Sequence, residues 1–442
     1  MKYMKTINIL TGLFLLFPLL STAQSAGATD NKWTVQEAIH FAFDHSPDST
    51  IAQKRIEIAE ALVSQSRSGQ YPQVHLIGEY SQTNNPMYSF GNILNQGEFD
   101  NSIDFNNPGR TDNLQIKAEI RYRLYNGGGV NAGIRASEAQ SNGSRLMLKS
   151  IHNKMAFEVT RLFHMIIQAK EMMTAREKAL KAIGVSLTVA KARFDAGDLL
   201  KQDLLNIELQ ESMAKDNLIQ ARHDLALTQR GFLNLLGLTD PSVTIDPSSD
   251  CKPQMPEPHN PVTRPEILQI EAMIQAAEAK LEQVKSGKRP VIDTFANYQF
   301  NTGSVLDGSG DSWMAGIRLD YTLFDGGRLS SGLQVALANV LKAKEEKKKI
   351  ILAINLEMEQ ARLGFQQADE KLQVTGKMVD LATESARLSR IRFKEGVILA
   401  SDLIDVETRL TDARVQQSAA SAMRKIAIAD LRRAMGLPQF EE

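Results

Sequence analysis

Two periodicities divide the chain. Leu114, Ile116, Ala118, Ile120, Tyr122 and Leu124 alternate with Gln115, Lys117, Glu119, Arg121 and Arg123. A two-residue period puts the apolar set on one face of a β-strand and the polar set on the other. The alternation returns at Trp313, Ala315, Ile317, Leu319, Tyr321 and Leu323, and less cleanly over residues 74–82 and 292–300. About 11 residues of this pattern match a tilted strand crossing a bilayer. A half-buried sheet in a soluble protein alternates identically, so the pattern alone leaves both open. Residues 83–112 read as a long polar loop, with Asn84, Asn85, Pro86, Gly91, Gly97, Asn106, Asn107, Pro108 and Gly109. Long loops at one end and tight turns at the other are usual for outer-membrane barrels.

Outside the strands the period becomes helical. No proline falls between Gly109 and Asp240, or between Val291 and Leu437. Residues 131–194 predict a helix roughly 96 Å long at 1.5 Å per residue. Gly197 ends it, and a second helix is predicted from about 199 to 236. The opening helix near 48–69 (266–287 in the second half) and this second helix together nearly match the long one. One long helix can therefore pack, coiled-coil-like, against two shorter helices laid end to end.

The pattern is written twice. Leu124-Tyr125-Asn126-Gly127-Gly128 recurs as Leu323-Phe324-Asp325-Gly326-Gly327, 199 positions on. Arg193-Phe194 and Gly197, with Asp203-Leu204 beyond, recur at the same offset as Arg392-Phe393, Gly396 and Asp402-Leu403. Upstream the offset is 218, matching Pro47 to Pro265 and Ser68-Gly69 to Ser286-Gly287, so the first copy carries 19 extra residues before Leu114. A period this long marks duplication of a whole unit. The organisation predicted is a leader at 1–23, a first repeat at 24–240, a proline-rich connector at 241–262 and a second repeat at 263–442. Four strands cannot close a barrel, and open edges are not tolerated in lipid, so spanning strands require several chains.

Composition removes whole classes. Among 442 residues, 51 Lys and Arg balance 52 Asp and Glu for a net charge of −1, which excludes a broadly basic nucleic-acid binder. The single cysteine, Cys251, excludes an internal disulfide and a cysteine metal site. A charged fraction of 23% excludes a polytopic helical membrane protein. Lys2 and Lys5 precede an apolar run over 7–20 and then Ser21-Thr22-Ala23, the form of a secretory signal. No later run is long and apolar enough for a membrane helix. An exported chain is then either soluble or a β-barrel protein.

No chemistry emerges. The seven histidines are scattered without His-Glu-x-x-His, and Asn126-Gly127-Gly128-Gly129 lacks the Lys-Ser/Thr of a phosphate loop. The glycines fit a tight strand-to-helix corner needing positive φ. Met155, Met165, Met172 and Met173 read as packing. Neither an enzyme, a cofactor nor a metal site is expected.

This arrangement resembles the TolC-like family of outer-membrane efflux and secretion channels, over nearly the whole chain from Trp33 to Leu437. The paired turns at Asn126-Gly127-Gly128 and Asp325-Gly326-Gly327, and the Arg-Phe-x-x-Gly turns at Gly197 and Gly396, carry the likeness. It implies an α+β membrane protein: two tandem repeats, each with two transmembrane strands and long helices. It also implies a homotrimer, with a 12-stranded β-barrel in outer-membrane lipid continued by a periplasmic α-helical barrel. Such a trimer would be the passive exit duct of a tripartite efflux or type I secretion system, partnered by a periplasmic adaptor and an inner-membrane pump. By the same resemblance Arg193, Gly197, Arg392 and Gly396 fall at adaptor-contacting tips. Asp402 and Asp405 fall at the constricted tunnel entrance; the first repeat has Asp203 but Asn206. The other reading of the pattern is a soluble periplasmic coiled-coil scaffold.

Overall fold

The computed structural model describes residues 32–239, 244–246, 255–256 and 263–440. The predicted leader, Cys251 and most of the connector lie outside them.

Glycine and proline punctuate the helices as the sequence predicts. α4 (Gly129–Asp195) and α7 (Arg328–Lys394) are 67 residues each, about 100 Å long. Each begins after a left-handed glycine, Gly128 at φ 85° or Gly327 at φ 87°. α2 (Pro47–Ser68) and α6 (Pro265–Lys285) open with proline, whose fixed φ suits a first helical turn. α5 (Lys201–Leu236) and α8 (Ala400–Ala434) return from the glycine turns. The end of α5 abuts the start of α2: a Cβ on Gly237 would lie 3.0 Å from the His45 carbonyl oxygen. The shorter helices are thus stacked end to end beside α4.

That junction is the main core. α1 (Val35–His45), capped by Thr34 and Glu37, lays Val35, Ala38, Ile39 and Ala42 over Met155, Val159, Phe163 and Ile166 of α4. Phe232 and Leu236 close it from α5. Burying aromatic and branched side chains here compensates for the break between two helices that cannot continue into each other. α1 is an element the periodicity analysis did not resolve. The connector also carries more order than expected, since β4 (Thr244–Ile245) pairs in parallel with β1 (Lys32–Trp33).

His152 of α4 sits beside this junction, with Nε2 2.9 Å from the Ser49 hydroxyl and its ring 4.2 Å from Phe43. Burial lowers its pKa below the ordinary value, against the opposing charge of Asp44. The unfolded chain therefore takes up a proton near pH 6.5 that the folded chain refuses until lower pH. Stability should be full above 6.5 and fall as the pH drops through that value. His152→Gln should flatten this slope between pH 5 and 7 in urea unfolding; an unchanged slope would assign it to other groups.

The strands β2 (Gln73–Thr83), β3 (Thr111–Tyr125), β5 (Val291–Thr302) and β6 (Ser309–Asp320) form one antiparallel sheet in the order β2-β3-β5-β6. The repeats join at β3–β5, where Leu114 faces Thr302 and Tyr122 faces Thr294. β6 stops at Asp320 rather than continuing to Leu323, because β5, its partner among the described residues, ends opposite at Val291. Residues 83–112 are not simply a loop: α3 (Pro86–Asn95) folds within them, with Pro86 at its first turn and Asn85 capping the Met87 amide.

The helices repeat the order of the sheet. α4 packs against α2, α5, α6 and α8, while α7 packs along α6 and α8. The layer therefore runs α2/α5, α4, α6/α8, α7, and ends on two open edges. Both edges are apolar. α7 exposes Leu341, Leu352, Leu356, Leu363, Val374 and Leu381; α2 and α5 expose Ile51, Ile58, Leu205 and Leu209.

Candidate functional site

The sheet has one apolar and one polar face, and the apolar one is bare. Val74, Leu76, Ile120, Tyr298, Trp313 and Ile317 share it, with Trp313 76% and Ile317 72% exposed. A soluble sheet would cover such a surface; lipid would solvate it. No described helix is long and apolar enough to cross a membrane, so any span in the described residues belongs to the strands. The opposite face is a polar network. Asn113 donates to Asn301 at 3.0 Å, Glu119 lies buried between Lys117 and Arg121, and Arg123 pairs with Asp293 at 2.9 Å. Hydrogen bonds and ion pairs satisfy these groups, as a water-filled interior allows.

At the helix end of the sheet, both strand-to-helix corners take the positive φ expected of their glycines. Gly127 and Gly128 stand at 65° and 85°, Gly326 and Gly327 at 67° and 87°. The two corners are held differently. The Asp325 carboxylate accepts from the Gly327 and Leu329 amides at 3.1 and 2.8 Å, placing an anion at the start of α7. At the first corner the Asn126 carbonyl accepts from the Gly129 amide, and Arg289 of the second repeat donates to the Gly127 carbonyl at 2.8 Å.

The far ends of the helices converge on a second cluster, where Leu187, Ala190, Ile207, Phe393, Ala400 and Leu403 are buried together. Gly197 (φ 84°) and Gly396 (φ 76°) make the same reversal. The Gly197 amide bonds the Phe194 carbonyl and the Asp198 amide the Arg193 carbonyl; Gly396 and Val397 do likewise to Phe393 and Arg392. This double bond to the last turn is what a left-handed glycine permits.

The paired arginines diverge. Arg193 donates to the Phe393 and Asp198 carbonyls, both at 3.2 Å, and lies 5.4 Å from the Phe393 ring centroid. It is built into the structure, tying the first tip to the second. Arg392 is exposed, and its side chain makes no ion pair or hydrogen bond among the described residues. Asp402 and Asp405 are exposed on one side of α8, while Leu403 and Glu407 turn inward onto neighbouring helices. In the first repeat Asp203 is half-buried and Asn206 exposed.

One pair escaped the sequence analysis. Buried Glu407 is gripped by both Nε and Nη2 of Arg390 on α7, the latter at 2.7 Å. That hydrogen bond raises the Arg390 pKa above its ordinary value despite partial burial. Its counterpart 199 residues earlier is Lys191–Glu208, at 3.6 Å and open to solvent. The repeat offset aligned these positions, but a pairing across two antiparallel helices leaves no local signal.

No cluster of three or more metal-ligating side chains exists among the described residues. The geometry offers instead a lipid-facing surface, a hydrated face and a helical extension. The chain matches the family described as outer membrane efflux protein over residues 38–238 and 262–437. It is 21% identical to the outer membrane efflux protein BepC of Brucella suis, over 66% of this chain and 61% of that protein, so the match spans less than two thirds of BepC. The pyoverdine export outer membrane protein OpmQ of Pseudomonas putida is 22% identical, over 95% of this chain and 90% of its own. Among solved structures, a membrane protein from Pseudomonas aeruginosa superposes with a TM-score of 0.80 at 18% identity, over 91% of this chain and 93% of that one. The bare apolar sheet and the doubled strand–helix unit are thus explained together, and the chain belongs to the outer membrane efflux protein family.

Proposed function

We propose that three copies of this chain close side by side into one duct, which carries cargo across the outer membrane after an inner-membrane pump has spent the energy. The observation that carries this reading is the coincidence of edges. The sheet ends on unpaired β2 and β6, and the helix layer on apolar α2/α5 and α7. One rotation about an axis that joins β6 to the next β2 also brings α7 against the next α2/α5. Three copies then give 12 strands, an acceptable barrel size. A soluble scaffold leaves the apolar sheet face unexplained. Residues 1–23 would direct export, and two repeats joined through 241–262 would make each wedge.

In this duct the glycine tips face a periplasmic adaptor. Arg193 is already engaged within the chain and its guanidinium lies against Gly396, so the exposed Arg392 and the open turn at Gly197 are the parts of the two tips left to a partner. Crosslinking in intact cells should recover an adaptor and a pump with this chain; recovering neither, with a monomer in mild detergent, would sink the proposal.

Asp402 and Asp405 would crowd six carboxylates round the axis, repelling one another and attracting cations. Asp402→Asn with Asp405→Asn should raise conductance in planar bilayers several-fold and weaken block by multivalent cations. Unchanged conductance and block would remove these residues from the entrance.

A further inference from the structure

The extra residues of the first repeat are folded against the polar side of the sheet. On α3, Ser89, Ile93 and Gln96 (at its C-terminal cap) are almost fully buried. Ser89 donates to the carbonyls of Thr83 and Gly109, Asn92 to the Thr111 hydroxyl, and Gln96 to the Asp112 carbonyl at 2.7 Å and the Asn113 side chain at 3.2 Å. Asn113 belongs to the polar face, where it meets Asn301. The segment after α3 crosses the β5–β6 hairpin where Gly303, Gly308 and Gly310 lack side chains; a Cβ on any of them would strike residues 95–98. Phe90 packs edge-on against Phe99 and Phe105 beside it. This is a built attachment at the rim of the sheet remote from the long helices.

Its geometry decides what the other side of α3 does. At 100° per residue Met87, Gly91 and Leu94 lie opposite Ser89, Ile93 and Gln96. Met87 is 80% and Leu94 51% exposed, and a Cβ on Gly91 would meet open space. Twelve strands about 4.8 Å apart and tilted about 40° enclose a cylinder of roughly 12 Å radius. A helix with its side chains is about 10 Å thick. Three such helices on the inner wall leave a gap of only a few Å.

From this fit we infer that α3 is an apolar collar inside the outer mouth of the duct, with Met87, Gly91 and Leu94 lining the narrowest passage there. The inference rests on the trimeric duct proposed above. An apolar ring of this width disfavours water and small hydrated ions while letting apolar or amphiphilic cargo slide past. It would be a second constriction, in series with the helix-end entrance and of opposite character, since that one is acidic.

Two variants of opposite sign test it in the trimer already opened by Asp402→Asn and Asp405→Asn. Met87→Ser with Leu94→Ser wets the collar and should raise single-channel conductance at least two-fold. Gly91→Leu fills it and should lower conductance by a similar factor. Neither touches the buried attachment, so trimer yield and heat stability should match the parent. Unchanged conductance in both, with channels plainly present, overturns the collar alone. Absence of any channel in the parent trimer overturns the duct reading on which it stands.

Discussion

Alanine at Gly127 is expected to destabilise the single chain by about 3–5 kcal/mol, while alanine at the equivalent Gly326 costs it only about 1–2 kcal/mol. Both glycines sit near φ 65°, so both pay for left-handed backbone. Their surroundings differ. A Cβ on Gly127 would lie 2.8 Å from the Ser286 carbonyl oxygen and 2.8 Å from Cβ of Arg289, the first of which is backbone and cannot swing away. A Cβ on Gly326 meets nothing within 4 Å in its own chain. By the repeat offset, Ser286 corresponds to Ser68, and in a closed ring the next copy's Ser68 would occupy that empty place. Gly326→Ala should therefore cost the detergent-separated monomer little yet weaken the trimer, whereas Gly127→Ala should impair both strongly. Thermal unfolding of the monomer, with the temperature at which the trimer dissociates, reads the two effects separately. Equal losses of monomer stability at both sites, or an unaffected Gly326→Ala trimer, would contradict the account.

Arg390→Ala should be the most damaging single change near the tips. Removing the guanidinium strands the Glu407 carboxylate at 4% exposure with no other cation paired to it among the described residues. Breaking a buried pair from one side costs about 3–5 kcal/mol, and the 45% exposure of Arg390 argues for the lower end. Lys191→Ala, in the solvent-open counterpart, should cost no more than about 1 kcal/mol. Because the pair pins α8 to α7 within two residues of Asp405, its loss should also make the entrance leaky. Arg390→Ala with Glu407→Leu should restore much of the stability, since the charge to be desolvated is gone. A double variant as unstable as Arg390→Ala would show that the pair is not the cause.

What was legible in the sequence follows from the range of each interaction. Strand alternation and glycine corners are local, so Leu114–Leu124 and Gly127-Gly128 read correctly. The exposed apolar face was readable as a pattern, and only the sheet pairing reveals that none of the described residues covers it. α1 was missed although Thr34-x-x-Glu37 is a capping signature, realised here with Glu37 bonded to the Thr34 amide. α3 was masked by the asparagines and glycines around it, though Asn85-Pro86 marks a helix start. Lys191–Glu208 and Arg390–Glu407 were invisible because each joins two helices that reverse at a glycine. The divergence of Arg193 from Arg392 was likewise hidden, since identical local turns differ only in what lies across from them.

The β3–β5 seam has a consequence in time. Leu114 pairs with Thr302 and Tyr125 with Ile292, so the centre of the sheet closes loops of well over a hundred residues. The helices of the first repeat can form on local contacts, but its β2–β3 hairpin keeps a naked edge until β5 arrives. At about 5–20 residues per second, that wait lasts on the order of 10–40 s. Through that interval an apolar two-stranded ribbon has no neighbour, the condition under which strands pair with the wrong chain. The length of that exposed interval is thus set by where the duplicated halves meet rather than by either half alone.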